Sequence, residues 1–299
     1  MAKILLIGSD GQVGWELTQQ ANISPHQWVF LNRQALDLRN LLHIPQIIIK
    51  HQPDWVINAA AYTAVDRAEQ EPQLAFQINC EAPEIIAIAC AQLNIPLIHF
   101  STDYVFDGCS ATAYEESHPV APLGIYGQTK WQGEEAVRKY HAQHLLFRIS
   151  WVFSQHGHNF VKTILRLAQE KEELKIVHDQ RGCPTPAKDL STILLTLIER
   201  YEKAKNANFA WGTYHYASQP QLSWYEFATE IISIAKQYTP RIKTTHVYPI
   251  TTAEYPMPAK RPANSVLSTR KFQDTFHLYP RDWHIALVEL IRNYYEHTL

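Results

Sequence analysis

The chain has no excess of basic residues. Lys and Arg number 27 against 29 Asp and Glu in 299 residues, a formal charge of −2. A nucleic-acid-binding surface normally needs a basic surplus, so no nucleic-acid partner is expected, although one local basic pocket for a phosphate is compatible with this balance. Cysteine is scarce, with Cys80, Cys90, Cys109 and Cys183 only. None forms a CxxC pair or stands beside a matching His pair, and the fifteen histidines are scattered. This argues against a zinc site and against a disulfide framework. Long apolar runs are missing too. The run Ile4-Leu5-Leu6-Ile7 stops at Gly8, too short for a signal peptide, and no stretch approaches membrane-spanning length. The expectation is a reduced, soluble, cytoplasmic protein with no membrane partner.

What is present is core-forming material. Hydrophobic residues make up 46 % and charged residues 19 %, which rules out global disorder. The length suits two domains, or one large α/β domain with an appended lobe. Strand-like runs at Lys3–Gly8, Trp28–Leu31, Asp54–Ile57, Pro96–Ser101 and His144–Trp151 alternate with helical spacing at Val13–Ala21, Asn40–His51, Leu74–Leu93 and Tyr126–Tyr140. Such alternation predicts βαβ units and a doubly wound parallel sheet, a Rossmann-like α/β fold. Beyond residue 150 the rhythm loosens and prolines recur, from Pro184 to Pro262. The division expected is a dinucleotide-binding domain over 1–150 and a smaller substrate-binding lobe over 151–299, with some segments returning to the first domain.

Gly8-Ser9-Asp10-Gly11-Gln12-Val13-Gly14 follows the first strand and opens the first helix. Gly8 permits a tight turn, Gly11 lets a pyrophosphate approach the backbone, and Gly14 lets helix and strand pack closely. The helix N-terminus supplies free N–H groups and the positive end of its dipole. The spacing is GxxGxxG rather than GxGxxG, but the strand-before, helix-after context is met. The second strand ends in Leu31-Asn32-Arg33. An acidic residue there would select a free ribose 2′-hydroxyl, whereas Asn32 and Arg33 suit a 2′-phosphate, so NADPH is expected, with NADH as the second possibility. Asp37 and Leu38 could flank the adenine, and Asp37 could equally cap the following helix. Ala60, Ala61, Tyr62 and Thr63 follow the third strand, where small side chains let the backbone approach a cofactor; a tight helix–sheet contact would explain the alanines equally well.

Thr102 leaves the fourth strand, at the end of an open sheet where ligands bind. Farther on, Tyr126-Gly127-Gln128-Thr129-Lys130 places a phenol and an ammonium on one helical face. The ammonium is expected to lower the phenol toward working pH, so that it can protonate a carbonyl oxygen as hydride reaches the carbon. A second YxxxK, Tyr201 to Lys205, follows an apolar helix, lacks a strand-end hydroxyl, and reads as a solvated helix end.

With these motifs the chain resembles the extended short-chain dehydrogenase/reductases and, within them, the dTDP-4-dehydrorhamnose reductase family. The resemblance runs nearly end to end. It rests on ILLIGSDGQVGWEL at 4–17, VINAAAYTAVDRAE at 56–69, IHFSTDYVFDG at 98–108, APLGIYGQTKWQGE at 121–134, FRISWVF at 147–153, DQRGCPTPAKDL at 179–190 and AKRPANSVLST at 259–269. It implies NADPH-dependent reduction of the 4-keto group of a dTDP-linked 4-keto-6-deoxysugar, in polysaccharide biosynthesis. In it Tyr126 is the general acid, Lys130 tunes it and binds the nicotinamide ribose, and Thr102 polarises the carbonyl. Thr102, Asp103 and Trp151 would line the sugar pocket. Gly11, Gln12, Val13, Asn32, Asp37, Leu38, Ala60, Ala61, Tyr62, Tyr126 and Lys130 would hold the cofactor. Arg261, in a Pro-rich loop, suits a diphosphate; the plainer reading is a surface cation, as for Trp151 it is a core ring. Some members of the family bridge a dimer with magnesium held by glutamates. Glu16 matches one such position, but Lys188, beside Asp189, stands near a second. No metal is therefore expected, and monomer and homodimer stay open. The alternatives are a reductase giving the C4 epimer, 6-deoxy-L-talose, a non-catalytic NADP-binding regulatory subunit, and a sugar-nucleotide epimerase.

Overall fold

The computed structural model describes residues 1–204 and 208–296. The first half forms β1 (Lys3–Ile7), α1 (Gln12–Ala21), β2 (Gln27–Leu31), α2 (His43–His51), β3 (Trp55–Asn58), α3 (Val65–Ala68), α4 (Pro72–Phe76), a π-helical turn (Gln77–Glu81), α5 (Ala82–Leu93), β4 (Leu97–Thr102), α6 (Ile125–Tyr140) and β5 (His144–Ile149). The second half adds β6 (Val152–Phe153), α7 (Phe160–Glu170), β7 (Glu173–Val177), β8 (Arg181–Gly182), β9 (Thr185–Pro186), α8 (Ala187–Ala204), β10 (Gly212–Tyr216), β11 (Leu222–Ser223), α9 (Trp224–Tyr238), β12 (His246–Ile250), α10 (Arg270–Phe276) and α11 (Trp283–Glu296).

Six strands make one sheet in the order β10-β5-β4-β3-β1-β2, every pair parallel. Alternate strand residues serve opposite faces. Ile4, Leu6, Ile57 and Phe147 join α1, α8 and α10 in one core, while Leu5, Ile7, Val56 and Leu146 join α2 and α5 in another. Chain order reverses at β1, which lies between β2 and β3, and open parallel sheets bind ligands beyond the carboxyl ends at such a point.

Past residue 150 the chain divides its service. Helix α8 and strand β10 return to the sheet layer, β10 pairing with β5. A separate core of α7, α9 and α11 forms the smaller lobe. Helix α9 opens with a reciprocal cap, Ser223 accepting from Glu226 N–H and Glu226 accepting from Ser223 N–H.

Two expectations need correction. Helix α2 starts at His43 rather than Asn40, because Asp37 to Asn40 forms its own turn, with Arg39 N–H on Asp37 Oδ1. Asp37 is thus no helix cap. Pro72–Leu93 is long and apolar enough to cross a membrane by length and composition, contrary to the expectation that nothing would be. Ala82, Ile86, Ala87 and Cys90 of this segment are buried in the sheet core, which is what its apolar character serves.

Candidate active site

The glycine loop is close-packed for steric reasons. A Cβ on Gly8 (φ +83°) would lie 2.6 Å from Ala60 N, and one on Gly14 would fall on the Gly8 carbonyl oxygen. Loop, helix and the Ala59–Ala60 segment therefore meet backbone to backbone. Gly11 is more open, with Gly8 O at 3.4 Å as the nearest neighbour of a Cβ, so its face is free for a pyrophosphate at the start of α1. Gln12 accepts from Asn159 Nδ2 at 3.0 Å and so ties this loop to the smaller lobe. At the end of β2, Asn32 Oδ1 accepts from Gln34 and Ala35 N–H, leaving its amide N–H groups to offer. Arg33 is exposed beside it, and Asp37 is held by Arg39 at 2.5 Å. The cleft end thus carries two guanidinium groups and one carboxylate already paired, which suits a 2′-phosphate.

Residues 60–63 are pinned by a side chain the sequence reading missed. Asn79, fully buried in the π-turn, accepts from Tyr62 N–H at 2.8 Å and donates to Tyr62 O and Thr129 Oγ1. The Tyr62 hydroxyl goes outward to Glu71. The extra residue of the π-turn lets α4 and α5 pass Gly133 of α6, where a Cβ would fall on Asn79 O.

The chemistry gathers at the carboxyl end of β4. Thr102 is buried, donates to Asp103 Oδ1 at 2.9 Å and accepts from Tyr104 N–H at 3.2 Å. Gly127 lets α6 press on this turn, since a Cβ there would meet Tyr104 O. Glu69 accepts from Ile125 N–H at 2.9 Å and fixes the helix start. Tyr126 then sits edge-on to Tyr104, ring centroids 5.6 Å apart, with Thr102 near enough to bear on its phenol. Lys130 is buried and donates to the Phe100 carbonyl at 2.5 Å.

The electrostatics differ from the expected arrangement. Burial pushes the Tyr126 phenol up to about 12, with Thr102 opposing, and Lys130 is not among the groups that act on it. The ammonium is turned to Phe100 O, and burial keeps the phenol protonated, as a proton donor must be. Burial brings Lys130 down to about 8, with Glu134 opposing.

Asp103 is raised by burial to about 6 from an ordinary 3.8. Between those values the folded protein keeps a proton that the unfolded chain releases, so stability falls as pH rises through the window. At neutral pH the cost is roughly two pH units at about 1.4 kcal/mol each, about 3 kcal/mol. Asp103→Asn should raise unfolding stability by about 1–3 kcal/mol at pH 7.5, less whatever its new N–H loses by burial, and by little near pH 4. Urea denaturation at both pH values checks this; an equal gain at both would show that the carboxyl does not titrate there.

Arg261 is no free surface cation. It pairs with Asp66 at 2.9 Å while Nη1 is buried without a partner, and it acts on the neighbouring Tyr104. Trp151 adopts φ +48° just beyond β5 and stacks on Trp224, centroids 3.4 Å apart, so one indole face is already used within the lobe. Glu16 accepts from Ser154 and Lys188 pairs with Glu289 at 2.5 Å. Among the described residues no group of His, Cys, Asp and Glu is placed to hold a metal. The four cysteines are free. A groove of about 900 Å³ lined by Glu116, His118, Trp131, Arg138 and Lys271 contains none of the predicted site residues.

The second YxxxK is not a solvated end. Tyr201 packs among Trp55, Phe209 and Trp211 at the amino ends of the strands, and Glu202 accepts from Trp55 Nε1; Lys205 lies outside the described residues.

Comparison with known proteins finds likeness over nearly the whole chain. The family described as RmlD substrate binding domain matches residues 2–296. A dTDP-4-dehydrorhamnose reductase of Burkholderia thailandensis is 41 % identical over 97 % of this chain and 98 % of its own length. The one from Escherichia coli K12 is 38 % identical over 99 % of each. Among solved structures, a dTDP-4-dehydrorhamnose reductase from Clostridium acetobutylicum superposes with TM-score 0.89 at 36 % identity, covering 97 % of this chain and 98 % of its own. One from Bacillus anthracis, in complex with NADP, also gives 0.89, at 33 % identity and with the same coverage.

Proposed function

The chain belongs to the RmlD substrate-binding-domain family, and from that membership and the site geometry we propose that it reduces the 4-keto group of dTDP-4-dehydro-β-L-rhamnose with NADPH, giving dTDP-L-rhamnose in the last step of that synthesis. The observation that carries the reading is the meeting of Thr102, Tyr126 and Lys130 at the end of β4, beside the backbone cradle of Gly8, Gly11 and Gly14.

NADPH, when bound, supplies the hydride. Tyr126 gives its proton to the carbonyl oxygen, and a phenol near 12 is acid enough for a developing alkoxide. Thr102 stands beside it and would donate to the same oxygen by turning its one hydroxyl proton away from Asp103 Oδ1. Lys130 would hold the nicotinamide ribose. Gln12 and Val13 offer backbone N–H groups to the pyrophosphate, with Gly8, Gly11 and Gly14 shaping the loop and the Gly11 N–H closing its turn on Gly8 O. Asn32 and Arg33 take the 2′-phosphate, Asp37 and Leu38 flank the adenine, and Ala60, Ala61, Tyr62 and Thr63 line the ribose side. Asp103 accepts from a sugar hydroxyl, the part of the Trp151 ring left open by Trp224 and Gly182 faces the 6-methyl side, and the unpartnered Nη1 of Arg261 suits the substrate diphosphate. The place of reaction is the cytoplasm, where three buried thiols and one exposed one stay reduced.

The test is oxidation of NADPH, and separately of NADH, with the 4-keto sugar generated in situ and the product read by NMR. dTDP-L-rhamnose formed at least tenfold more efficiently with NADPH is the expected result. The talose epimer would keep the chemistry and change the product. Tight NADPH binding without turnover would overturn the catalytic reading.

A further inference from the structure

Helix α6 carries a third residue in register with Tyr126 and Lys130. Glu134 lies one turn beyond Lys130 and is completely buried. Its carboxylate is gripped from another element: Arg148 of β5, 2 % exposed, donates through Nε to Oε1 at 2.9 Å and through Nη2 to Oε2 at 2.7 Å. Arg138, one turn farther along α6, adds Nη1 to Oε2 at 3.0 Å. Arg148 is steadied in turn by His215 of β10 at 3.4 Å and by the Phe106 ring. The proposed chemistry uses none of these groups, yet such a pair is expensive to bury.

We propose that Glu134 is a positioning residue for catalysis, a buried carboxylate anchored by Arg148 that holds α6 in register on the sheet and keeps Lys130 an ammonium. The proposal rests on the reading of Lys130 as the lysine that serves the cofactor. Burial alone would raise Glu134, but Arg148 and Arg138 hold it below the ordinary range, so the charge is permanent at working pH. The surroundings of Lys130 leave that charge unrivalled. Tyr126 on its own helix is protonated, His99 on β4 is kept neutral by burial, and the arginines of β5 and α6 face Glu134. No ion pair joins Glu134 to Lys130, whose Nζ donates to Phe100 O; the carboxylate acts on it through space from one turn along the same helical face.

The test is the pH profile of kcat/KM in the full-length enzyme. Glu134→Gln keeps the shape and removes the charge, so the alkaline limb should move about one pH unit lower. It also strands Arg148 and can unfold the protein. The double variant E134Q/R148Q leaves no unpaired buried charge, should fold, and should show the limb displaced in the same direction but by less, because the opposing charge of Arg148 goes with that of Glu134. Glu134→Asp, which keeps the charge, should retain the wild-type limb with a lower maximum. A purely structural role predicts lower activity with the limb unmoved in all three. A folded, NADPH-binding double variant with the wild-type limb would therefore overturn the proposal. Loss of turnover in Lys130→Met is the separate control: if it keeps turnover, the reading of Lys130 fails first.

Discussion

Tyr126→Phe is expected to lose roughly 100- to 10,000-fold in kcat while NADPH affinity stays within about twofold. The phenyl ring keeps its edge-on contact with Tyr104, so only the hydroxyl beside Thr102 is lost. That hydroxyl gives its proton in the transition state and does little for the ground state, which is why kcat and kcat/KM should fall together. Stopped-flow NADPH titration and steady-state turnover measure the two quantities. Wild-type turnover would place the acid elsewhere. Tyr201→Phe is the matched control, since Tyr201 sits among aromatic rings at the opposite ends of the strands and should leave kcat unchanged.

The contrast between the two tyrosines shows what the sequence could carry. Both stand in YxxxK, and local spacing cannot say at which end of a sheet a helix begins. Order along the chain could: a glycine loop, a strand-end Thr and then Tyr126 follow the path of a parallel sheet, and its alternation of apolar runs was legible. What escaped is tertiary. Asn79 acts through a π-turn, and one inserted residue leaves no periodic trace. Glu134 and Arg148 are fourteen positions apart on a helix and a strand, and each alone reads as a surface charge. The sign of the Tyr126 perturbation escaped for the same reason. Sequence places an ammonium four residues from a phenol but does not show that the Phe100 carbonyl takes it. Arg261 was legible as a cation in a loop, not as the partner of Asp66 with one nitrogen left over.

Lys130→Met should cost both quantities that Tyr126→Phe separates: about 100-fold or more in kcat and roughly tenfold in NADPH affinity, the worth of charge-assisted hydrogen bonds to the ribose. It should also stabilise the free protein. The unfolded chain holds an ordinary lysine at 10.5, whereas burial brings the folded one to about 8. Between those values the unfolded state binds the extra proton, so stability rises with pH through the window, and below it the fold carries the full cost. Methionine fills the stem's volume without a charge to desolvate. Part of that gain is offset by the Phe100 carbonyl, which loses its donor, and by Glu134, which loses a countercharge. A melting temperature higher than wild type at pH 7, with the difference shrinking toward pH 10, is the expected result by calorimetry in the absence of NADPH. A destabilised variant at pH 7 would mean that the ammonium is well paired in the empty site. The lysine would then contribute to the fold as much as to the reaction, and the loss of turnover could no longer be assigned to the cofactor alone.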